Sequence, residues 1–186
     1  MYQRLLQDLP AEAKRLQVLS AGQRLFHQTE KTRGIFAVVK GQVQLCRTTE
    51  AGETLILHCA MPGQLFAEAS LFADHYHCDA VAVTEAEVLR LGKTAVLKAL
   101  AEDQAFSLAF HQLLAKQVQH YRQRVALLAI RSAEERVYAA VQMGLLNTTV
   151  TELAEQIGLS REACYRALRQ LVTQGRLKKL GRGRYL

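Results

Sequence analysis

Two rhythms of apolar and polar positions divide the chain. Short β-rich runs with glycines between them extend from about Val18 to Leu91: residues 24–27, 34–39, 41–47, 53–59, 80–84 and 86–91. Gly22, Gly34, Gly41, Gly52, Gly63 and Gly92 fall at or near the ends of these runs, as they do in a compact antiparallel roll or barrel. Ahead of them, Tyr2, Leu5, Leu6 and Leu9 precede Pro10 and then the stretch 11–16, which predicts one or two short helices over a core. From Thr94 to Leu128 the rhythm becomes helical, with no Pro or Gly between Gly92 and Gly144. Leu114, Val118, Tyr121, Val125 and Leu128 recur at spacings of four, three, four and three. That heptad seam either zips two helices together or lays one long amphipathic helix on its own sheet domain, and a helix this long has faces for both. Arg131 and Ser132 then predict a hinge before a helix over 133–143.

The next stretch reads as helix, turn, helix. Thr149 caps the first helix while Glu152, three residues on, reaches back in a capping box. Leu153 and Ile157 lie one turn apart and face inward. Gly158 permits the chain reversal, and Ser160 is an N-cap for a helix starting at Arg161. Ala163, Cys164, Ala167, Leu168 and Leu171 supply an apolar stripe, which leaves Arg161, Glu162, Tyr165, Arg166 and Arg169 on or near the opposite face. An arginine fork matches the two acceptors of guanine, and a carboxylate accepts from the amino group of cytosine. Arg161, Glu162 and Arg166 are therefore the expected base readers, although a surface bundle alone would give the same isolated pattern. Residues 176–186 alternate basic and apolar positions around Gly181 and Gly183, like a short hairpin with cationic arms beside a phosphate backbone. Thr149, Arg169, Lys178, Lys179 and Arg182 are the expected phosphate contacts.

Charge agrees with that division. The 186 residues carry a formal net charge of +7, with 10 Lys and Arg against 5 Asp and Glu from Arg131 onward and 14 against 12 before it. A basic tail on a nearly neutral body places nucleic-acid contacts at the C-terminal end. Hydrophobic residues make up 49% and charged residues 22%, an ordinary globular composition. The polar start and the lack of a long apolar run predict a cytoplasmic protein. Cys46, Cys59, Cys78 and Cys164 form no C-x-x-C pair, so neither a zinc knuckle nor a disulfide framework is expected.

Taken together, Ser160-Arg161-Glu162 with Arg166, Val38-Val-Lys-Gly41, residues 66–72 (Phe-Ala-Glu-Ala-Ser-Leu-Phe) and Ala133-Glu-Glu-Arg136 resemble the family of the cyclic-AMP receptor protein and the fumarate-nitrate regulator, over almost the whole chain. The resemblance implies an α+β fold: an effector-type antiparallel β-roll over residues 1–100, a dimerisation helix over 101–130 and a winged helix-turn-helix over 131–186. It implies a homodimeric transcription regulator on a double-stranded DNA operator, with RNA polymerase as partner. The family's nucleotide pocket maps onto Glu68, Cys78, Asp79, Tyr121 and Arg122, and only Glu68 matches. Ala67 replaces a glycine, and Cys78 and Asp79 stand where an Arg-Ser pair grips the cyclic phosphate, so an aspartate would face an anion. Cyclic AMP is thus not the expected ligand.

The departure concentrates in Asp74-His75-Tyr76-His77-Cys78-Asp79. His and Cys there suit haem or a transition metal, yet alternating residues near a strand face opposite ways, and the stretch equally fits a polar loop with Cys78 turned inward. No cofactor or metal is assigned. A thiol nucleophile at Cys59 beside His58, or Cys78 beside His77, lacks an orienting third group, and no enzymatic activity is expected.

Overall fold

A computed structural model describes residues 2–52, 54–146, 149–181 and 184–185. Glu53, Arg182 and Gly183, which figure in the expectations above, lie outside the described residues. The chain divides into two compact units, Met1–Leu114 and Ala115–Leu186.

In the first unit, helix α1 (Tyr2–Gln7) and a 3-10 turn (Ala11–Ala13) precede strands β1 (Lys14–Leu19), β2 (Arg24–Phe26), β3 (Gly34–Lys40), β4 (Val43–Thr48), β5 (Thr54–Ala60), β6 (Leu65–Phe66), β7 (Asp79–Ala82) and β8 (Ala86–Gly92). They form two antiparallel sheets, ordered β1-β8-β3-β6 and β2-β7-β4-β5. The helix expected over 11–16 is corrected to that single turn. Lys14 is already extended at φ −111° and pairs with Leu91, and the ladder with β8 continues to Leu19 opposite Ala86. Leu16, the last residue of the expected helical stretch, lies instead with Val18 on the solvent side of an alternating strand.

Strand β3 reads as an unbroken apolar run because both of its faces are covered. Phe36 and Val38 join Phe26, Phe66, Tyr76 and Val88 in the core between the sheets, while Ile35 and Ala37 pack on the other face with Leu5, Leu9, Val96, Phe106 and Phe110. The last of these belong to helices α2 (Lys93–Glu102) and α3 (Gln104–Ala129). The continuous helical rhythm is broken at Asp103, whose Oδ1 accepts from Ala105 N (2.8 Å) and Phe106 N (3.0 Å) and so caps α3. The boundary between the units falls within α3.

The second unit continues with α4 (Ala133–Gln142), α5 (Val150–Gln156), α6 (Arg161–Thr173) and a hairpin of β9 (Lys179–Gly181) and β10 (Arg184–Tyr185). Leu127, Val137, Leu153, Ile157, Leu168, Leu171 and Leu177 form its core. The fold is α+β, a β-roll with flanking helices followed by a long helix and a winged helix-turn-helix. Among the described residues, no helix is long and apolar enough to cross a membrane.

Candidate nucleic-acid interface

Local chemistry fixes the two helices of the helix-turn-helix. The Thr149 side chain accepts from Glu152 N (3.1 Å) and Thr149 N donates to Glu152 Oε2 (2.9 Å), so the capping box is complete. At the other end of α5, Gly158 takes φ +64°, and Leu159 N donates to Ala154 O (2.9 Å), the pattern of a left-handed helix stop. A side chain at Gly158 would also meet Leu128 Cδ2 at 3.0 Å. Ser160 Oγ accepts from Ala163 N (3.1 Å), which opens α6 with Arg161 and Glu162 in its first turn.

Burial then sorts α6. Cys164, Ala167, Leu168 and Leu171 are buried and Ala163 is half-buried, whereas Arg161, Glu162, Tyr165, Arg166 and Arg169 are exposed. These five, with Gln170, Thr173 and Gln174, line one open concavity of about 690 Å³. The Arg161 guanidinium lies 5.7 Å from the Tyr165 ring centroid, which steers that arm along the helix. Beneath this face, burial pushes the Cys164 thiol up to about 11 and keeps it neutral. Of the expected phosphate contacts, Thr149 is exposed at the start of α5, and its hydroxyl, accepting within the cap, retains a proton to donate. Lys178 and Lys179 are exposed at the start of the wing, where Tyr185 pairs with Lys179. Arg182 lies outside the described residues.

The partners of three arginines of this unit were not legible in the sequence, because composition shows a charge and not its partner. Arg136 donates through Nε and Nη2 to Ile130 O (2.9 and 2.7 Å) and through Nη1 to Ile157 O (3.0 Å). Arg124 donates to Gln156 O (3.1 Å). The carbonyls left open at the end of α5 are thereby satisfied by side chains. Arg176, within the basic tail, is held by Glu135 rather than pointing away. The nearest sequence signal was the acidic pair Glu134-Glu135 at the start of α4.

In the β-roll, Glu68, Cys78 and Asp79 belong to the first unit, while Tyr121 and Arg122 sit exposed on the part of α3 in the second. Glu68 opens a 3-10 turn (Glu68–Ser70) after Ala67, which takes φ +65° where the family's pattern has glycine. Asp79 accepts from Gln28 N (2.6 Å) and lies 3.6 Å from Arg24, so its carboxylate ties β7 to the segment after β2. Arg47 Nε donates to His77 O (2.8 Å). Tyr76 is buried, stacks on Phe26 at 3.8 Å, donates to Gly34 O (3.0 Å) and accepts from Arg33 N (3.1 Å). Burial raises the Cys78 thiol above its ordinary value, with nearby Arg47 opposing the shift. Among the described residues, no three His, Cys, Asp or Glu side chains converge as a metal-holding group.

A β-roll followed by a capped helix with a basic exposed face and a short hairpin is the architecture of a DNA-binding transcription regulator. Residues 16–103 match the cyclic nucleotide-binding domain family. The nitrogen fixation regulation protein FixK of Azorhizobium caulinodans is 25% identical over 173 residues, 85% of this chain and 69% of the relative. FixK2 from Bradyrhizobium japonicum shares the fold with a TM-score of 0.73 at 21% identity, covering 93% of this chain and 91% of the other. The catabolite activator protein of Thermus thermophilus is 27% identical with a TM-score of 0.54, covering 97% and 92%. Residues 16–103 therefore match a cyclic nucleotide-binding domain, and over most of its length the chain is similar to transcription regulators of the CRP/FNR family.

Proposed function

We propose that the protein acts as a homodimer that reads a two-fold operator through paired α6 helices about one DNA turn apart. The observation that carries this reading is the exposed first turn of α6, where the Ser160 cap presents Arg161 and Glu162 with Arg166 one turn further on. Arg161, Glu162 and Arg166 select bases; Thr149, Arg169, Lys178, Lys179 and Arg182 hold phosphates and carry the salt dependence. Dimerisation is assigned to the α3 row of Val118, Tyr121, Val125 and Leu128, each more than 40% exposed in the single chain. Residues 1–100 then act as the effector-type unit, 101–130 as the dimerisation helix and 131–186 as the DNA reader, in the cytoplasm and with RNA polymerase as downstream partner.

Cyclic AMP is not assigned to the roll. Asp79, Arg24 and the Tyr76 ring are committed to holding strands and core, and Asp79 would repel a cyclic phosphate. A haem or redox role for Cys78 is disfavoured by the burial that keeps its thiol protonated, since the thiolate is the ligand and the nucleophile. The roll therefore fits an effector-independent regulator better than a sensor at this loop. Selecting bound fragments from random duplexes tests the whole reading. A two-fold consensus with half-sites about one turn apart supports it. Recovery of unrelated fragments, or of a consensus that appears only with cyclic AMP or haem, refutes the corresponding part.

A further inference from the structure

We infer that Arg176 is a positioning residue that clamps the root of the wing to α4, and that it does not contact DNA. The inference rests on the DNA-reading role proposed above. By charge alone Arg176 is one more cation in a basic tail, equivalent to Lys178 and Lys179. Its surroundings separate it from them.

The backbone delivers Arg176 to one place. Helix α6 closes at Gly175, φ +72°, with Gly175 N donating to Val172 O (3.0 Å) and Arg176 N donating to Leu171 O (2.9 Å). This double bond pattern fixes the residue after the glycine as firmly as the helix itself. Leu177, next in the chain, is buried, so the stretch between α6 and β9 is anchored on both sides of the arginine's Cα. From there the guanidinium reaches α4. Its Nη1 and Nη2 donate to the two carboxylate oxygens of Glu135, the second at 2.9 Å, and Nη1 lies 3.7 Å from Glu134. Its plane covers the Tyr138 ring at 4.2 Å. A two-pronged carboxylate bond and an aromatic face hold a guanidinium in one orientation, which a lysine could not reproduce.

Two consequences follow for DNA binding. The positive charge of Arg176 is already matched by two carboxylates, so it adds little to the field felt by phosphates. The start of the hairpin, with Lys178 and Lys179, is set by α4, the helix that follows the short non-helical link 130–132 after α3.

The test turns on signs. Operator affinity is measured across a salt series for the full-length protein and for Glu135→Gln, Arg176→Ala and the exchanged pair Glu135→Arg with Arg176→Glu. Hydrogen exchange of the Lys179 and Tyr185 amides and the melting temperature are followed in parallel, without DNA. With a clamp, Glu135→Gln weakens operator binding several-fold even though it removes a negative charge, and Arg176→Ala weakens it with the salt slope unchanged. Wing amides exchange faster in both single variants, and the exchanged pair recovers affinity and protection. A Glu135→Gln that binds more tightly overturns the inference, as does an Arg176→Ala that lowers the slope by about one, the signature of a lost phosphate contact. Unaltered exchange and affinity in both variants also overturn it. If the unsubstituted protein selects no operator, the DNA-reading role fails, and the exchange data still decide whether the clamp holds the wing.

Discussion

Thr29 holds φ at +69°, a left-handed backbone that a β-branched side chain occupies at a cost of about 1–2 kcal/mol. Its side chain is exposed, so little burial is lost with glycine. Thr29→Gly is therefore expected to raise stability by about 1 kcal/mol after allowing for glycine's greater freedom when unfolded, read as a higher urea midpoint at unchanged m-value. Ala67, at φ +65°, carries the same strain in a buried place. Under the proposed DNA-reading role, single residues of the exposed α6 face separate by what each would touch. Arg166→Ala is expected to lose discrimination at one base pair per half-site, about 1–3 kcal/mol, measured against single-base operator variants. Lys179→Ala should weaken specific and random duplexes alike and lower the salt slope by about one. Equal losses on every sequence for both variants would remove Arg166 from the base readers. The sequence placed Arg161, Glu162 and Arg166 on the exposed face because Ser160 and Gly158 fix which side chains open α6. It could not assign Arg176 or Arg136, whose partners are an acidic side chain and backbone carbonyls on other elements.

Elements were legible in proportion to how locally their ends are determined. Helix α5 and the start of α6 are set by their own side chains and a glycine, so Thr149, Glu152, Gly158 and Ser160 located both ends of α5 and the first residue of α6. Strand β1 was hidden because its pairing with β8 lies some seventy residues away in the chain, and Leu16 and Val18 suit a helical face as well as a strand. The break at Asp103 was hidden because an aspartate inside an apolar rhythm announces a cap only once its carboxylate is seen to accept from Ala105 and Phe106. Helix α6 also carries a pH dependence. The raised Cys164 thiol favours the folded state fully below the ordinary thiol range, and that contribution is lost as pH rises toward about 11. Stability of the second unit should thus decline above about pH 9, and the decline should be shallower in Cys164→Ala. A parallel decline in both proteins would show that the thiol does not contribute. At acid pH the linkage reverses for Glu135, whose carboxyl the Arg176 hydrogen bond holds below its usual range. Its pairing persists above the ordinary glutamate range and is lost as pH falls through the lowered value.

For the molecule as a whole, the apolar row on α3 and the basic face of α6 make one joint prediction. Val125 is 66% exposed and contributes nothing to the folded core of the single chain. If α3 carries the proposed dimer contact, Val125→Glu should leave the melting of the dilute chain nearly unchanged, yield a monomer in sedimentation where the unsubstituted protein is dimeric, and reduce operator affinity far more than affinity for a single half-site. A variant that stays dimeric would place the partner contact elsewhere. The change from strand-rich to helical segments was readable from periodicity, since the glycine-punctuated short runs up to Leu91 give way to a helical rhythm after Gly92. The roll's chemistry was less readable, because Tyr76 and Asp79 look like ligands in a list of residues and act as a core ring and a strand tie in space. The fork of Arg136 bears on play in the joint. One planar group grips Ile130 O at the end of α3 and Ile157 O at the turn into the reading motif, so those two carbonyls keep a fixed separation. A small twist in the last turn of α3 would reach Ser160 with little lost to loose chain, as in a keyed shaft. Extra residues spliced in between Ile130 and Ser132 would leave each helix intact and disengage the key.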